Sequence, residues 1–213
     1  MSILVTGFDP FGGEQRNPSW EVAQALPNTL AGLPVHRVQL PTVFGAAGRV
    51  LMETVHRCRP SLVLCLGQAG GRAALTVERV GINLRDARIP DNKGNQPVDE
   101  PVFSQGENAY FSTLPIKAMV QAIRQEGIPA QVSNTAGTYV CNDLMYGLLY
   151  HIHHSFPTIR GGFVHVPYAT CQVVDKPGTP SLSVPEMIKG ITAALGACVE
   201  NAQHVHTAEG AEH

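Results

Sequence analysis

Short apolar runs alternating with amphipathic stretches limit this chain to a small set of folds. Residues 3–6 and 61–66 are almost wholly apolar, residues 35–40 alternate, and residues 162–166 form a run that ends at Pro167. Such runs suit strands buried in a sheet that is covered on both faces. Between them lie helical patterns. Asn17-Pro18 reads as an N-cap with proline at the first helical position, opening a helix to about Leu26. Residues 45–57 and 114–125 carry helical periods, the second through Ile116, Met119, Val120 and Ile123. Ser183-Val184-Pro185-Glu186 has the form of a capping box before a last helix with Met187, Ile191 and Leu195 on its apolar face. Residues 75–84 read as one alternating strand holding Glu78, and residues 85–105 as a long polar loop. The alternation predicts an α/β protein: an α/β/α layered fold with a mostly parallel, twisted central sheet. With 213 residues, no internal repeat and no long linker, one domain over residues 1–204 is expected, followed by a disordered tail at 205–213.

Composition narrows the function classes. Charged residues make up 15% and the net charge is −2, which gives no basic face for nucleic acid. No run of about 18 apolar residues exists, so no membrane partner is expected. The first ten residues lack the basic lead and apolar core of a secretory signal. Five scattered cysteines without a CxxC pair point to reduced thiols and a cytoplasmic location.

The stretch from Gln131 to Ser155 carries the strongest chemical signal. It reads as a short strand at 131–133, a turn at 134–138, and a helix whose i+4 face is Val140, Leu144, Leu148 and Ile152, with Cys141 in the first turn. Unpaired N–H groups and the positive dipole end there favour a thiolate. A small buried core cysteine is the plainer alternative. A nucleophilic thiol needs a base, and the base needs an orienting group. His165 ends one strand and Glu78 lies on another, so all three can meet where the carboxyl ends of parallel strands face helix starts. Spacing alone does not select them. The Cys/His pair would be an imidazolium–thiolate couple with proton transfer already done, and Glu78 would hold the imidazole tautomer. Equally, Glu78 could face solvent.

Gly7-Phe8-Asp9-Pro10-Phe11-Gly12-Gly13 fits neither a phosphate loop nor GxGxxG. Its two phenylalanines, read as exposed on a loop, either tuck onto the core or wall a small apolar pocket. Residues 67–72 form a Gly-rich turn after a strand, a common ligand position in open α/β sheets. His151, His153 and His154 share a helix but form no HExxH, and there is no GxSxG elbow, so neither a metal nor another cofactor is expected.

The segments TGFDPFGG, NPSW, LPTVF, GQAGGR, TVERVGIN, DARIPDN, YFSTLPIK, SNTAGTYVCN and FVHVPY run nearly end to end. In these the chain resembles the pyroglutamyl peptidases (pyrrolidone carboxyl peptidases), a family of cysteine peptidases. The resemblance implies a phosphorylase/hydrolase-like layered fold. It also implies release of N-terminal pyroglutamate from peptides through an acyl-enzyme, and a homotetramer. It makes Glu78, Cys141 and His165 the expected catalytic triad. Phe8 and Phe11 become the expected pocket for the lactam ring, Gln68 a residue of the binding-site turn, and Arg88 a possible stabiliser of charge near the oxyanion. Gly81 stands where many relatives have alanine, a change expected to loosen the strand beside Glu78. Two rival readings are an enzyme of another class on a nucleoside phosphorylase-like sheet, and a binder that kept the lactam pocket without turnover.

Overall fold

In the computed structural model, which describes residues 1–200 and 207–210, each expected run finds a place in one layered architecture. In chain order the elements are β1 (Ile3–Phe8), α1 (Pro18–Ala25), β2 (Thr29–Leu30), β3 (Leu33–Leu40), α2 (Ala46–Cys58), β4 (Leu62–Gln68), β5 (Leu75–Glu78) and β6 (Val80–Ile82). There follow β7 (Ala109–Phe111), α3 (Ile116–Gln125), β8 (Ala130–Ser133), α4 (Val140–Ser155), β9 (Arg160–Val166), β10 (Tyr168–Ala169), β11 (Ser181–Leu182) and α5 (Val184–Val199). The main sheet has the order β2-β3-β1-β4-β9-β5-β8. Strands β3, β1, β4 and β9 run parallel to one another. Strand β2 is antiparallel to β3, while β5 is antiparallel to β9 and parallel to β8.

Strands β1 and β4 are buried at every residue, because helices cover both faces. On one face Ile3, Val5, Leu64 and Leu66 pack with Val22, Met119 and Ile191 from α1, α3 and α5. On the other, Leu4, Val63, Cys65 and Phe163 pack with Leu51 of α2 and Leu144 and Leu148 of α4. The sheet is mostly parallel and the layering is α/β/α. The caps read from the sequence are present. Asn17 accepts from the Ser19 N–H, and Ser183 and Glu186 bond reciprocally.

Residues 75–84 differ from the single strand expected. β5 belongs to the main sheet, whereas β6 pairs with β7 in a separate two-stranded antiparallel sheet. The break is at Arg79, whose N–H donates to Ser133 O at 2.8 Å while its carbonyl accepts from Ser112 N at 2.9 Å. All four residues of β5 are buried, so its alternation of residue types does not mark a solvent face. Gly81 accordingly is not in one strand with Glu78. It lies on β6, where a Cβ would come within 3.0 Å of the Tyr146 backbone, so glycine permits the close approach of β6 to α4.

The expected tail disorder falls mostly outside the described residues. Of residues 207–210, Thr207 O accepts from Lys117 Nζ at 2.6 Å, and Glu209 Oε1 pairs with Arg124 at 2.7 Å.

The start of α4 is docked onto β6 by one side chain. Asn142, fully buried, accepts from Ile82 N at 3.0 Å and donates to Ile82 O and Leu84 O, both at 2.9 Å. Asn142→Ala should therefore leave buried backbone groups unpaired and cost about 3 kcal/mol, read as a lowered urea midpoint with unchanged slope.

Candidate active site

Strand β8 leads through a tight turn into α4. Gly137 takes φ +77° in that turn, a conformation that favours glycine. Tyr139 is the N-cap residue and provides no side-chain cap, so the first N–H groups of α4 are left without a capping acceptor. Cys141 stands in that first turn, as the sequence predicts. Its position is braced by Asp143, which accepts from Arg85 Nε at 2.6 Å and from Gly45 N at 2.8 Å. The thiol lies against Gly67 of β4. A Cβ on Gly67 would come within 2.8 Å of Sγ and 2.7 Å of Phe163 Cζ, so the backbone itself makes the floor beneath the sulfur.

Gly67 pairs in register with His165 of β9. The His165 Nδ1 lies 2.7 Å from Glu78 Oε1, and both residues are buried. An ionised carboxylate only accepts, so Nδ1 carries the hydrogen and Nε2 keeps its lone pair. The route by which Glu78 arrives differs from the one expected. It does not sit at the carboxyl end of a strand parallel to β9. β5 runs the other way, with Thr76 opposite His165, and Glu78 two residues on reaches the imidazole diagonally on the same face.

Arg72, unassigned from sequence, completes this cluster. Its Nη1 donates to the same Glu78 Oε1 at 2.6 Å and to Thr76 Oγ1, and its Nη2 donates to Thr135 O at 3.2 Å. Its only sequence signal is a basic residue closing a Gly-rich turn six residues before a strand carboxylate.

Burial alone would raise the Glu78 carboxyl, but the His165 hydrogen bond and the Arg72 charge outweigh it and hold the group below the ordinary carboxylate range. Burial also pushes the His165 imidazole below its usual value, with Glu78 pulling the other way. The Cys141 thiol is pushed up to about 12, first by burial and then by the Glu78 charge, against an opposing effect of Arg72. Both shifts run toward a neutral thiol and a neutral imidazole and against the preformed ion pair expected from the sequence.

Cys141 and His165 open onto a cavity of about 440 Å³, whose walls include Phe8, Phe11, Ile89 and Tyr139. Phe8 is not on an exposed loop: it ends β1 and is only 2% exposed. Phe11 is partly exposed and leans on Tyr139 at 6.2 Å between ring centroids. Tyr139, also unassigned from sequence, is fixed by its hydroxyl donating to Pro90 O at 2.9 Å. Gln68 lines the cavity as the last residue of β4 and not as part of the following turn. Arg88 lies exposed on the same wall, beside Asp86. Phe8, Phe11, Gln68, Arg88, Cys141 and His165 thus share one cavity, with Glu78 behind His165. The wall is stitched from distant segments. Asp9 accepts from Thr42 N at 2.7 Å, Asn17 donates to Asp9 O at 2.9 Å, and Asn92 donates to Pro10 O at 2.8 Å. A second cavity of about 300 Å³, lined by Met52, Arg85 and Phe103 among others, reaches neither Cys141 nor His165. His153 and His154 stack with Tyr110 and Tyr150 and line neither cavity.

A family model described as pyroglutamyl peptidase matches residues 1–201. The chain is 50% identical over 210 residues to a pyrrolidone-carboxylate peptidase of Clostridium botulinum, covering 99% of each chain. It is 55% identical over 200 residues to one from Streptococcus suis, covering 94% of this chain and 93% of the relative. Among solved structures, pyroglutamyl peptidase I of Bacillus amyloliquefaciens superposes with a TM-score of 0.92 at 47% identity, covering 96% of this chain and 99% of that one. A mutant pyrrolidone carboxyl peptidase of Pyrococcus furiosus gives a TM-score of 0.91 at 40% identity, covering 95% and 100%.

Since the thiolate is the species that alkylates, a raised thiol gives a definite pH profile. The rate of Cys141 alkylation by iodoacetamide in the ligand-free protein should climb about tenfold per pH unit through the neutral and mildly alkaline range. A plateau beginning in the acid range would instead mark a standing ion pair. Mass-spectrometric tracking of the Cys141 peptide separates this site from the exposed Cys171.

Proposed function

The chain belongs to the pyroglutamyl peptidase family of cysteine-type hydrolases, and from that premise we propose that it releases N-terminal pyroglutamate from peptides through a Cys141-His165-Glu78 triad. The observation that carries this reading is the shared cavity, which holds the thiol and the free Nε2 side of an imidazole whose Nδ1 is hydrogen-bonded to a buried carboxylate.

Pyroglutamate is a neutral lactam with a ring carbonyl and no free amine. A slot walled by Phe8, Phe11 and Tyr139 suits such a ring, with a few polar groups to orient it. As Cys141 Sγ attacks the pyroglutamyl carbonyl carbon, His165 Nε2 takes the thiol proton. Attack and proton transfer are concerted in this scheme, because burial disfavours a thiolate at rest. The carbonyl oxygen gains the negative charge at the uncapped start of α4, where the N–H groups of Val140 and Cys141 can donate to it. Each such donor is typically worth about 3 kcal/mol. The imidazolium is stabilised by Glu78, which Arg72 keeps ionised and in position. Collapse of the intermediate breaks the C–N bond, and His165 gives its proton to the departing amine. A water molecule, deprotonated by His165, then attacks the thioester and frees pyroglutamate and the thiol. Arg88 lies exposed on the cavity wall, where its charge can act on the oxyanion or on the leaving peptide.

The test is hydrolysis of a pyroglutamyl chromogenic amide beside its prolyl analogue, with and without iodoacetamide. The expected result is a preference for pyroglutamyl that the reagent abolishes and that Cys141→Ala lacks. Undiminished release by Cys141→Ala would sink the assignment. Glu78→Gln keeps the size of the side chain but removes its charge, and should lower kcat about a hundredfold or more.

A further inference from the structure

The orientation of one buried amide in the cavity is set by a residue 104 positions away in sequence. Gln172 lies in the turn of residues 170–172 that follows β10. Its Oε1 accepts from Ala169 N at 2.9 Å, and a backbone N–H can only donate. Its Nε2 faces three acceptors: Gln68 Oε1 at 3.1 Å, Glu14 Oε2 at 3.3 Å and Arg16 O at 3.4 Å. Glu14 is a carboxylate paired with Lys176 at 2.6 Å, and Arg16 O is a backbone carbonyl, so neither can donate. The amide of Gln172 is therefore fixed the one way round. The Gln68 atom that meets its Nε2 must be the carbonyl oxygen. That leaves the Gln68 Nε2 turned the other way. Gln68 lines the cavity, and among the described residues its Nε2 has no hydrogen-bond partner, yet the atom is not sealed from solvent.

We propose that Gln172 is a specificity-positioning residue, which holds Gln68 so that its amide N–H₂ is presented to the cavity as a donor for the ring carbonyl of the acyl group. The inference rests on the pyroglutamyl reading above and adds a residue and a polarity to it. A lactam ring offers that donor an acceptor. A prolyl ring has no carbonyl and carries a protonated nitrogen, which is itself a donor and meets Nε2 unfavourably. With Gln68 reversed, its Oε1 would face the cavity, repelling the lactam carbonyl and accepting from the prolyl nitrogen. Discrimination would then follow from the direction of one amide, and not from the shape of the apolar walls alone.

The experiment compares kcat/KM for pyroglutamyl and prolyl chromogenic amides in the wild type, Gln172→Met, Gln172→Glu, Gln68→Met and the Gln68→Met/Gln172→Met double variant. Met removes the orienting donor at similar length. Glu offers only an acceptor and draws the Gln68 amide round. Gln172→Met should raise KM for the pyroglutamyl amide about fivefold with kcat nearly unchanged, and Gln172→Glu should lower the pyroglutamyl-to-prolyl ratio about tenfold or more. Cys141 alkylation should be the same in both, since neither touches the thiol. In the Gln68→Met background, Gln172→Met should leave the ratio where Gln68→Met put it. An unchanged ratio in both single variants overturns the proposal. So does an equal fall with and without Gln68, which marks a merely structural effect. A wild type without thiol-sensitive preference for pyroglutamyl instead removes the parent reading, so the two failures are told apart.

Discussion

A carboxylate with no exposed surface lies at the centre of this protein. Glu78 is sealed in the sheet, and a buried charge persists only where partners replace the water it has lost. Both partners converge on one oxygen, Arg72 from a Gly-rich turn and His165 from the adjacent strand. The requirement reaches outward from there. β5 must pair with β9 for Glu78 to reach the imidazole, and residues 69–74 must loop back so that Arg72 covers the carboxylate. Among the described residues the remaining oxygen, Oε2, has no hydrogen-bond partner within bonding geometry. Arg72 and the imidazolium that catalysis would form compete for the same oxygen. After the His165 hydrogen bond, the Arg72 charge also favours the ionised form of Glu78, and it opposes protonation of His165.

The helix starts were plain in the sequence because caps are local. Asn17-Pro18 and Ser183 to Glu186 each satisfy their own backbone within four residues, and the structure keeps both. The placement of Cys141 in the first turn of α4 was legible for the same reason, from a period in nearby residues. The direction of β5 was not. Direction depends on which neighbour a strand pairs with, and a short buried strand reads the same both ways. The division between β5 and β6 was hidden too, since an unbroken run of suitable residues gives no sign of where the chain changes sheets. Arg72 and Tyr139 escaped notice because their partners, Glu78 with Thr135 and Pro90 with Phe11, come together only in the fold. The charge state of Cys141 could not be inferred from its helix position. The helix dipole favours the thiolate, whereas burial against Gly67 and the nearby Glu78 charge act in the opposite direction.

The proposed chemical groups and the proposed recognition groups occupy different kinds of support. Cys141, His165 and Glu78 stand on a helix and two strands of the packed sheet, where their side chains have little freedom. The cavity wall is built from loops and strand ends, and it relies on polar cross-links such as Asp9 with Thr42 and Asn92 with Pro10. Under the proposed function, substitutions that relax the wall change which acyl group fits without moving the groups that act on it.

Those cross-links also bear on how the protein is made. Asn92 and Pro10 are 82 positions apart, and Thr42 and Asp9 are 33 apart. Closing loops of this length costs chain entropy that is recovered only when both ends are already held. The core pairing of β4 with β9 spans a longer separation still, Leu62 with Arg160, and it is what brings His165 beside Gly67. The cavity is therefore complete only when segments distant in sequence are held together, and a chain in which they are not has nowhere to bind a ring.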